Sequence, residues 1–406
     1  MVVADHRPSD EAGSVQAADP PASHSDKTRT PFVLGNRPAL TGLRAPMIAT
    51  ILIFHANFTA LIGAWAAVGS FFVLSGFLIT TMLTTEQRKT GGINLKKFYS
   101  RRAVRLLPPL FVTVAGLAIY ANFVKIANAA TTLWGDIAAA VFYFADYRAA
   151  FGHESAFGFL AQTWSLAIEE QFYVVWAVLL FVALRYGSRR WAYALAVSGI
   201  VASVTNRMWI VLHAQRWNSH VSGRVYYAFD TRADALLVGC LIGLLATGGH
   251  LEIWKPLARW ILAASALGST GLMVWIICNV TVGARSVPLY WLPVSEVATA
   301  VIIVYLLQNP RGVSARVLGL PILVLLGNMS YTIYLVHWPV YVAISPFTVR
   351  WPFHEYESAR LIVILAIALA SWFLMERPLM MWRRRALDPG GQATEDRAPP
   401  RRRPAS

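Results

Sequence analysis

Long apolar stretches recur along most of this chain and are separated by short polar segments. Ten of them have the length of roughly 17 to 25 residues that a helix needs to cross a membrane. They lie at about 43–63, 65–85, 106–124, 165–184, 191–211, 229–247, 258–279, 288–307, 321–344 and 359–380. The pattern predicts an all-α integral membrane protein with about ten transmembrane helices. We expect it in the cell (plasma) membrane as a multi-pass protein.

A further apolar run at 129–147 is interrupted by acidic residues. It carries Asp136 and Asp146, and carboxylates are costly inside the hydrocarbon core. Counting this run as a full crossing would also move the C-terminal arginines to the outside. We therefore predict a re-entrant or interfacial segment here.

Positive charge sets the predicted orientation. The net charge is +15, and Lys and Arg concentrate between the apolar runs and in the C-terminal tail. Between the second and third runs, one acid, Glu86, faces seven basic residues: Arg88, Lys89, Lys96, Lys97, Arg101, Arg102 and Arg105. The positive-inside rule places this loop in the cytoplasm, and with ten crossings both termini lie there too. Charge distributed in this way indicates topology, and we expect no nucleic-acid partner.

The ends of the chain are polar. Residues 1–36 are rich in Ala, Ser, Asp and Pro and contain no apolar core of a signal peptide, so we expect a disordered cytoplasmic tail without a cleaved leader. Residues 383–406 form a basic, Pro-containing tail that we also expect to be disordered and cytoplasmic. One membrane domain, 37–382, lies between them. The two cysteines, Cys240 and Cys278, are too few for a zinc or iron–sulfur ligand set, and no metal site is predicted.

Ionisable side chains occur within several apolar runs. His55 lies in the middle of the first run, eleven residues after Arg44. Glu169, His337 and Glu376 lie in the fourth, ninth and tenth runs. Such residues are costly in the hydrocarbon core and indicate a functional role, although a lone histidine can also serve as an interhelical packing contact. Four such positions exceed what packing alone requires.

A basic motif, FYSRRAVRLLPP, begins the third run. Arg102 and Arg105 are three residues apart and share one face of a helix, a geometry suited to gripping phosphates with planar guanidinium groups. The alternative interpretation is a topology anchor.

Taken together, the motifs resemble the acyltransferase-3 family of integral membrane acyltransferases over nearly all of residues 37–382. The matching segments, in chain order, are LTGLRA with a histidine eleven residues beyond its arginine, GSFFVLSGFLIT, FYSRRAVRLLPP, TWSLAIEEQFY, DTRADALLVG and SYTIYLVHWPV. Many members have a valine and an acid in the stretch written here as Gly69 and Ser70. Some carry an added extracytoplasmic hydrolase-like domain, which we do not expect here.

The resemblance implies transfer of an acyl group, often acetyl, from cytoplasmic acyl-CoA to a hydroxyl. Expected acceptors are an envelope glycolipid, a polysaccharide or a glycosylated metabolite of the macrolide type. No permanently bound cofactor is expected, and acetyl-CoA is the expected donor substrate. The rival class is a proton-coupled secondary transporter or flippase, but no convincing inverted repeat relates the two halves.

The expected donor site lies at the cytoplasmic mouth. Arg44, Arg102 and Arg105 would bind the CoA phosphates there.

The expected catalytic groups lie in the outer half of the membrane. His55 would act as general base or, alternatively, carry the acyl group covalently. At 1.5 Å per residue, it lies about 18 Å from the start of its helix. We expect Glu169 and His337 in the same layer, orienting the imidazole or binding the acceptor.

Three further polar positions have less definite roles. Arg232 and Asp234 match family positions and could bind substrate or form a stabilising ion pair within the membrane. Glu376 is the third.

Sidedness can be tested with single cysteines. In a background lacking Cys240 and Cys278, Ser219→Cys should react with a membrane-impermeant thiol reagent in intact cells, and Lys97→Cys should be protected, because basic loops stay in the cytoplasm. Permeabilised cells, in which both should react, are the control. Labelling of Lys97→Cys in intact cells would invert the map and place the arginine motif out of reach of cytosolic CoA.

Overall fold

The computed structural model describes residues 32, 35, 37–56, 61–124, 129–152, 158–251, 256–345 and 351–387, with side chains 122–124, 129–132 and 384–387 left aside. Within these ranges the regular structure is helical, which confirms the all-α prediction. The α-helices are α1 (Pro38–Gly42), α2 (Arg44–His55), α3 (Trp65–Thr90), α4 (Leu95–Val124), α5 (Ala129–Val141), α6 (Ala145–Phe151), α7 (Thr163–Tyr186), α8 (Arg189–His213), α9 (Ser219–Tyr227), α10 (Ala233–Thr247), α11 (Pro256–Asn279), α12 (Leu292–Gln308), α13 (Val313–Leu318), α14 (Pro321–Ala343), α15 (Phe353–Ser371) and α16 (Arg377–Leu387). Short π-helical segments, Val287–Trp291 and Trp372–Glu376, precede α12 and α16.

Helices form at all ten predicted runs, and eight of the helical stretches in the described residues are long and apolar enough to cross a membrane. The chain is a multi-pass membrane protein. Two of the ten predicted crossings do not meet these criteria. Helix α10 has only 15 residues, and α14 has 23 but carries Asn328 and His337 among its apolar residues. The count of ten crossings and the cytoplasmic position of the termini stay predictions.

The acidic run at 129–147 does not form one continuous helix. It divides into α5 and α6 at Tyr143, whose φ is 54°. The Asp136 carboxylate lies 3.1 Å from the Arg148 guanidinium, and burial raises the pKa of Asp136 to about 6 although Arg148 acts to lower it. The Asp146 carboxylate accepts a 2.8 Å hydrogen bond from Gln171 of α7. Two short helices with paired acids fit a re-entrant or interfacial segment better than a crossing.

The C-terminal helix extends farther than expected. Helix α16 runs to Leu387, five residues into the tail at 383–406 for which disorder is predicted. The remainder of that tail, and nearly all of the tail at 1–36, lie outside the described residues.

Helices α3 and α10 pack in direct backbone contact at two glycines. A Cβ atom added to Gly76 would lie 1.9 Å from the carbonyl oxygen of Leu236, and one added to Gly239 would lie 2.0 Å from that of Val73. Only hydrogen fits at these positions, so the two backbones touch. Small residues allow this approach, and it is a principal source of helix association inside membranes.

The two ends of the bundle differ in character. Arg88 of α3 donates to the carbonyl oxygen of Thr247 at 3.2 Å, and Arg189 of α8 donates to the Thr247 hydroxyl at 3.3 Å. We call this the basic end. Helix α8 runs for 25 residues from Arg189 to its other terminus, a length of about 37 Å. Helix α9 follows that terminus and therefore lies at the opposite end, which we call the far end.

The glycine contact can be tested by adding one methyl group. Gly76→Ala should lower the free energy of unfolding by about 1–3 kcal/mol, the usual cost of overpacking, because the methyl group meets a backbone carbonyl that cannot rotate away. Gly116→Ala on α4, where a Cβ has nothing within 4 Å, is the matched control. It should be neutral or stabilise by up to about 1 kcal/mol through helix propensity. Thermal unfolding in detergent measures both, and equal melting temperatures would contradict the packing.

Candidate active site

A cavity of about 390 Å³ lies between α2, α3, α4, α7, α14 and α16. Its lining residues on α3 extend from Val68 to Met82, which is about 21 Å along the helix. The polar side chains that line it are Arg44, Ser75, Arg101, Arg102, Arg105, Ser165, Glu169, Tyr173, Ser330, Tyr331, Tyr334 and Arg383. The cavity is therefore long and narrow, with cationic groups from three helices.

The structure brings the three predicted arginines together. Arg44 begins α2, and Arg102 and Arg105 lie in the first turns of α4. Two further arginines, Arg101 and Arg383, were not among the predicted site residues. Arg101 belongs to the same basic motif and was recognisable from it. Arg383 lies in the segment for which a disordered tail is predicted, so the sequence carried no signal for it.

One of these arginines is held by protein groups. The Arg102 guanidinium donates to both carboxylate oxygens of Glu170, at 2.5 and 3.4 Å, and lies 3.5 Å from the centre of the Tyr173 ring. In contrast, Nε of Arg44 is buried with no hydrogen-bond acceptor among the described residues. Arg102 is fixed in place, and Arg44 has unused hydrogen-bonding capacity.

Glu169 lies with the arginines, and the expectation of a common layer with the histidines is wrong for this residue. It lines the cavity and faces the positive charges of Arg102 and Arg44. The reason is its position on α7, because Ser165 and Tyr173, four residues to either side, point into the same cavity. Depth along the helix alone could not show which neighbour this face meets.

The two predicted histidines form a pair. The rings of His55 and His337 have centroids 5.0 Å apart. Nδ1 of His55 lies 2.9 Å from the carbonyl oxygen of Ile51, and Nδ1 of His337 lies 2.5 Å from that of Tyr334. A carbonyl oxygen only accepts, so each Nδ1 carries the proton and each Nε2 offers a lone pair in the neutral imidazole. Both rings are thereby prepared to accept a proton at Nε2.

The pair lies just beyond one end of the cavity. Tyr334 lines the cavity, and its ring centroid is 5.3 Å from that of His337. Its hydroxyl donates to the carbonyl oxygen of Gln162 at 2.9 Å and contacts the Ser165 hydroxyl at 2.6 Å. His337 is fully buried, and its Nε2 has no partner among the described residues, whereas His55 is half-buried. His55 is the more accessible base.

Arg232 and Asp234 do not pair with each other, which corrects the expected ion pair. Asp234 lies 2.6 Å from the Arg207 guanidinium of α8, and both side chains are fully buried. Residues two apart do not face each other across a helical turn, so Asp234 meets α8 instead. No nitrogen of the Arg232 guanidinium has an acceptor among the described residues. Arg207 and Glu296, a buried neighbour, were missed although both are charged residues within apolar runs.

Glu376 occupies a structural position. Its carboxylate accepts hydrogen bonds from the hydroxyls of Thr332 at 2.7 Å and Ser371 at 2.9 Å. These contacts connect the π-helical segment after α15 to α14, and Glu376 is not among the cavity-lining residues.

Sequence comparison identifies the family. The profile of the acyltransferase-3 family, which describes an acyltransferase domain, matches residues 38–376. The chain belongs to this family. The peptidoglycan O-acetyltransferase OatA of Listeria monocytogenes is 31% identical over 320 residues, 76% of this chain and 50% of that protein. The O-acetyltransferase OatA of Staphylococcus aureus is 29% identical over 358 residues, 84% of this chain and 57% of that protein. This member of the family thus spans about half the length of these relatives, and no solved structure matches it.

The DTRADA motif offers a test of the buried ion pair. Asp234→Asn should lower the free energy of unfolding by about 3–5 kcal/mol, because Arg207 would be left buried without its counter-charge. Asp230→Asn is the matched control, since the partly exposed Asp230 pairs with Arg224 at 2.5 Å and an exposed pair contributes at most about 1 kcal/mol. Denaturation of both variants in detergent compares them. Equal losses would show that Asp234 does not neutralise Arg207.

Proposed function

We propose that this protein is a membrane O-acyltransferase that moves an acyl group, in the first instance acetyl, from acyl-CoA to a hydroxyl of a cell-envelope glycan. One observation carries the proposal. A long cavity contains five arginines, and a pair of histidines with available Nε2 atoms lies one tyrosine ring beyond it. Groups suited to anion binding and groups suited to proton transfer therefore lie next to each other, with Tyr334 between them.

The arginines fit the phosphates of CoA. Guanidinium groups bind phosphates through paired, charge-assisted hydrogen bonds. Arg44 and Arg105 have no ion pair with a carboxylate among the described residues, whereas Arg102 is engaged by Glu170. We assign the phosphate contacts mainly to Arg44 and Arg105. Arg102 instead holds α4 against α7 at the side of the cavity. The narrow cavity then directs the acyl end of the donor towards Tyr334 and the histidines.

His55 supplies the base. Nε2 of His55 takes the proton from the acceptor hydroxyl while the oxygen attacks the thioester carbonyl carbon. The new ester C–O bond forms and the C–S bond breaks. The imidazolium then returns its proton to the departing CoA thiolate, which leaves a neutral imidazole and free CoA. General base catalysis of this kind contributes typically about 10²- to 10⁴-fold.

Alternatively, Nε2 of His55 would attack the thioester carbonyl carbon, and the C–S bond would break to release the CoA thiolate. The acceptor oxygen would then take the acyl group from Nε2, and the hydroxyl proton would pass to the thiolate. The same lone pair serves both routes, so the proposed function holds for either.

The relatives support the acceptor class. The Listeria protein is named as a peptidoglycan O-acetyltransferase, and a cell-wall glycan is accordingly the acceptor we propose here. A glycolipid of the envelope carries the same hydroxyl chemistry and is the second acceptor to be tried.

His55 can be tested by separating transfer from donor binding. His55→Ala should reduce acyl transfer from labelled acetyl-CoA to a glycan about 10²- to 10⁴-fold, because the base is lost, and should leave the Kd for acetyl-CoA unchanged. Arg105→Ala should show the reverse pattern, weakening acetyl-CoA binding by about 1.5–3 kcal/mol, as expected for a lost charged hydrogen bond.

His213→Ala is the matched control. Nδ1 of His213 also lies within hydrogen-bonding distance, 3.0 Å, of a carbonyl oxygen four residues earlier, but this histidine is exposed on α8. It should retain full activity. Wild-type turnover by a folded His55→Ala protein would remove His55 from the mechanism. Unchanged binding in Arg105→Ala would remove this arginine from the donor site.

A further inference from the structure

A second concave surface lies at the far end of the bundle. It is a groove of about 510 Å³ between α6, α9 and the loops that precede α9 and follow α11. Its side chains include Trp217, Asn218, His220, Ser222, Tyr226 and Tyr227. The indole N–H of Trp217 donates to the carbonyl oxygen of Gly283 at 2.7 Å, which fixes the ring at the rim. None of these residues lines the arginine cavity.

An aromatic wall separates this groove from the arginine cavity. Tyr226 and Tyr227 face the groove, and Phe72 faces the cavity. Trp164 is buried between them, with its ring 5.2 Å from Tyr226, 5.0 Å from Tyr227 and 6.3 Å from Phe72. The two compartments are thus separated by aromatic rings three deep: Phe72, then Trp164, then Tyr226 and Tyr227.

The lining of the groove has the chemistry of a carbohydrate site. Ordered aromatic faces accept the apolar faces of sugar rings, and amide, hydroxyl and imidazole groups match sugar hydroxyls in hydrogen bonding. The unpaired Arg232 guanidinium lies behind the wall, 5.3 Å from the Tyr226 ring centre, and anchors that ring by a cation–π contact. The aromatic surface is therefore held rigid from within the protein.

We propose that this groove binds the carbohydrate acceptor and that the layer formed by Phe72, Trp164, Tyr226 and Tyr227 separates the acceptor from the donor cavity. The inference rests on the proposed function, because it assigns the second substrate of that reaction. Donor and acceptor would then approach the aromatic layer from opposite ends of the bundle. The layer keeps water in the groove away from the thioester, and the rings must part before the acceptor hydroxyl can reach the thioester and Nε2 of His55.

Filling the groove tests this assignment. Ser222→Trp places a large side chain in the groove, and Ser198→Trp on the exposed face of α8 is the matched control. Chitotetraose is the probe, a neutral sugar oligomer with free hydroxyls. Ser222→Trp should raise its KM at least about tenfold, as loss of one anchoring contact does, while the Kd for acetyl-CoA stays at the wild-type value.

A truncation gives independent support. Trp217→Ala should raise the KM for chitotetraose in the same way, whereas Trp260→Ala, at a side chain 76% exposed on α11, should not. An unchanged KM in both groove variants, or a parallel loss of acetyl-CoA binding, would overturn the assignment.

Direct binding separates this inference from the proposed function. Saturation-transfer NMR of chitotetraose with the detergent-solubilised protein should give a signal that Ser222→Trp abolishes and Ser198→Trp retains, whether or not turnover occurs. If acetyl-CoA is neither bound nor consumed but the signal behaves in this way, the proposed reaction fails and the sugar site stands. If acetyl-CoA is bound and turned over but no groove-dependent sugar signal exists, the groove assignment fails alone.

Discussion

The direct backbone contact between α3 and α10 is the constraint on which the site depends. Gly76 and Gly239 let the two helices touch, and this contact fixes the rotation of α3 about its axis. One residue before Gly76, Ser75 points into the arginine cavity, and Phe72 lies one turn earlier on the same face. A single helix therefore packs against the core on one side and forms the cavity wall on the other. Any shift of α3 would displace both the contact with α10 and the cavity wall.

Buried charge is handled in three different ways, each with its own consequence. Arg207 is neutralised by Asp234, which ties α8 to α10. Arg102 is neutralised by Glu170 and stacks on Tyr173, which ties α4 to α7 beside the cavity. Among the described residues, the Arg232 guanidinium contacts the Phe72 and Tyr226 rings and has no hydrogen-bond acceptor. A charge that is not fully compensated is costly in a membrane protein. We therefore connect Arg207 and Arg102 with stability, and Arg232 with the aromatic layer beside the groove.

The aromatic layer lies between two compartments of different chemistry. Cationic groups occupy the cavity that begins towards the basic end, and aromatic and neutral polar groups occupy the groove at the far end. The histidine pair lies next to Tyr334, which belongs to the cavity wall. The arginines, the histidine pair and the groove therefore lie on separate elements, so the roles proposed for them can be tested by separate substitutions.

The sequence by itself determined the helices and the candidate chemistry. Apolar runs of membrane-spanning length are a local property, so helices form at all ten predicted positions, and the order of the motifs led to the family. The similar depth of His55 and His337 also followed from counting residues along two helices, and packing then brought the two rings into contact. Partner choice was decided only by the tertiary structure. Asp234 meets Arg207 instead of Arg232, Glu169 faces arginines instead of histidines, and the groove joins segments distant in sequence. The reason is that residue spacing sets depth along a helix, whereas the side chain opposite is set by the rotation and packing of neighbouring helices.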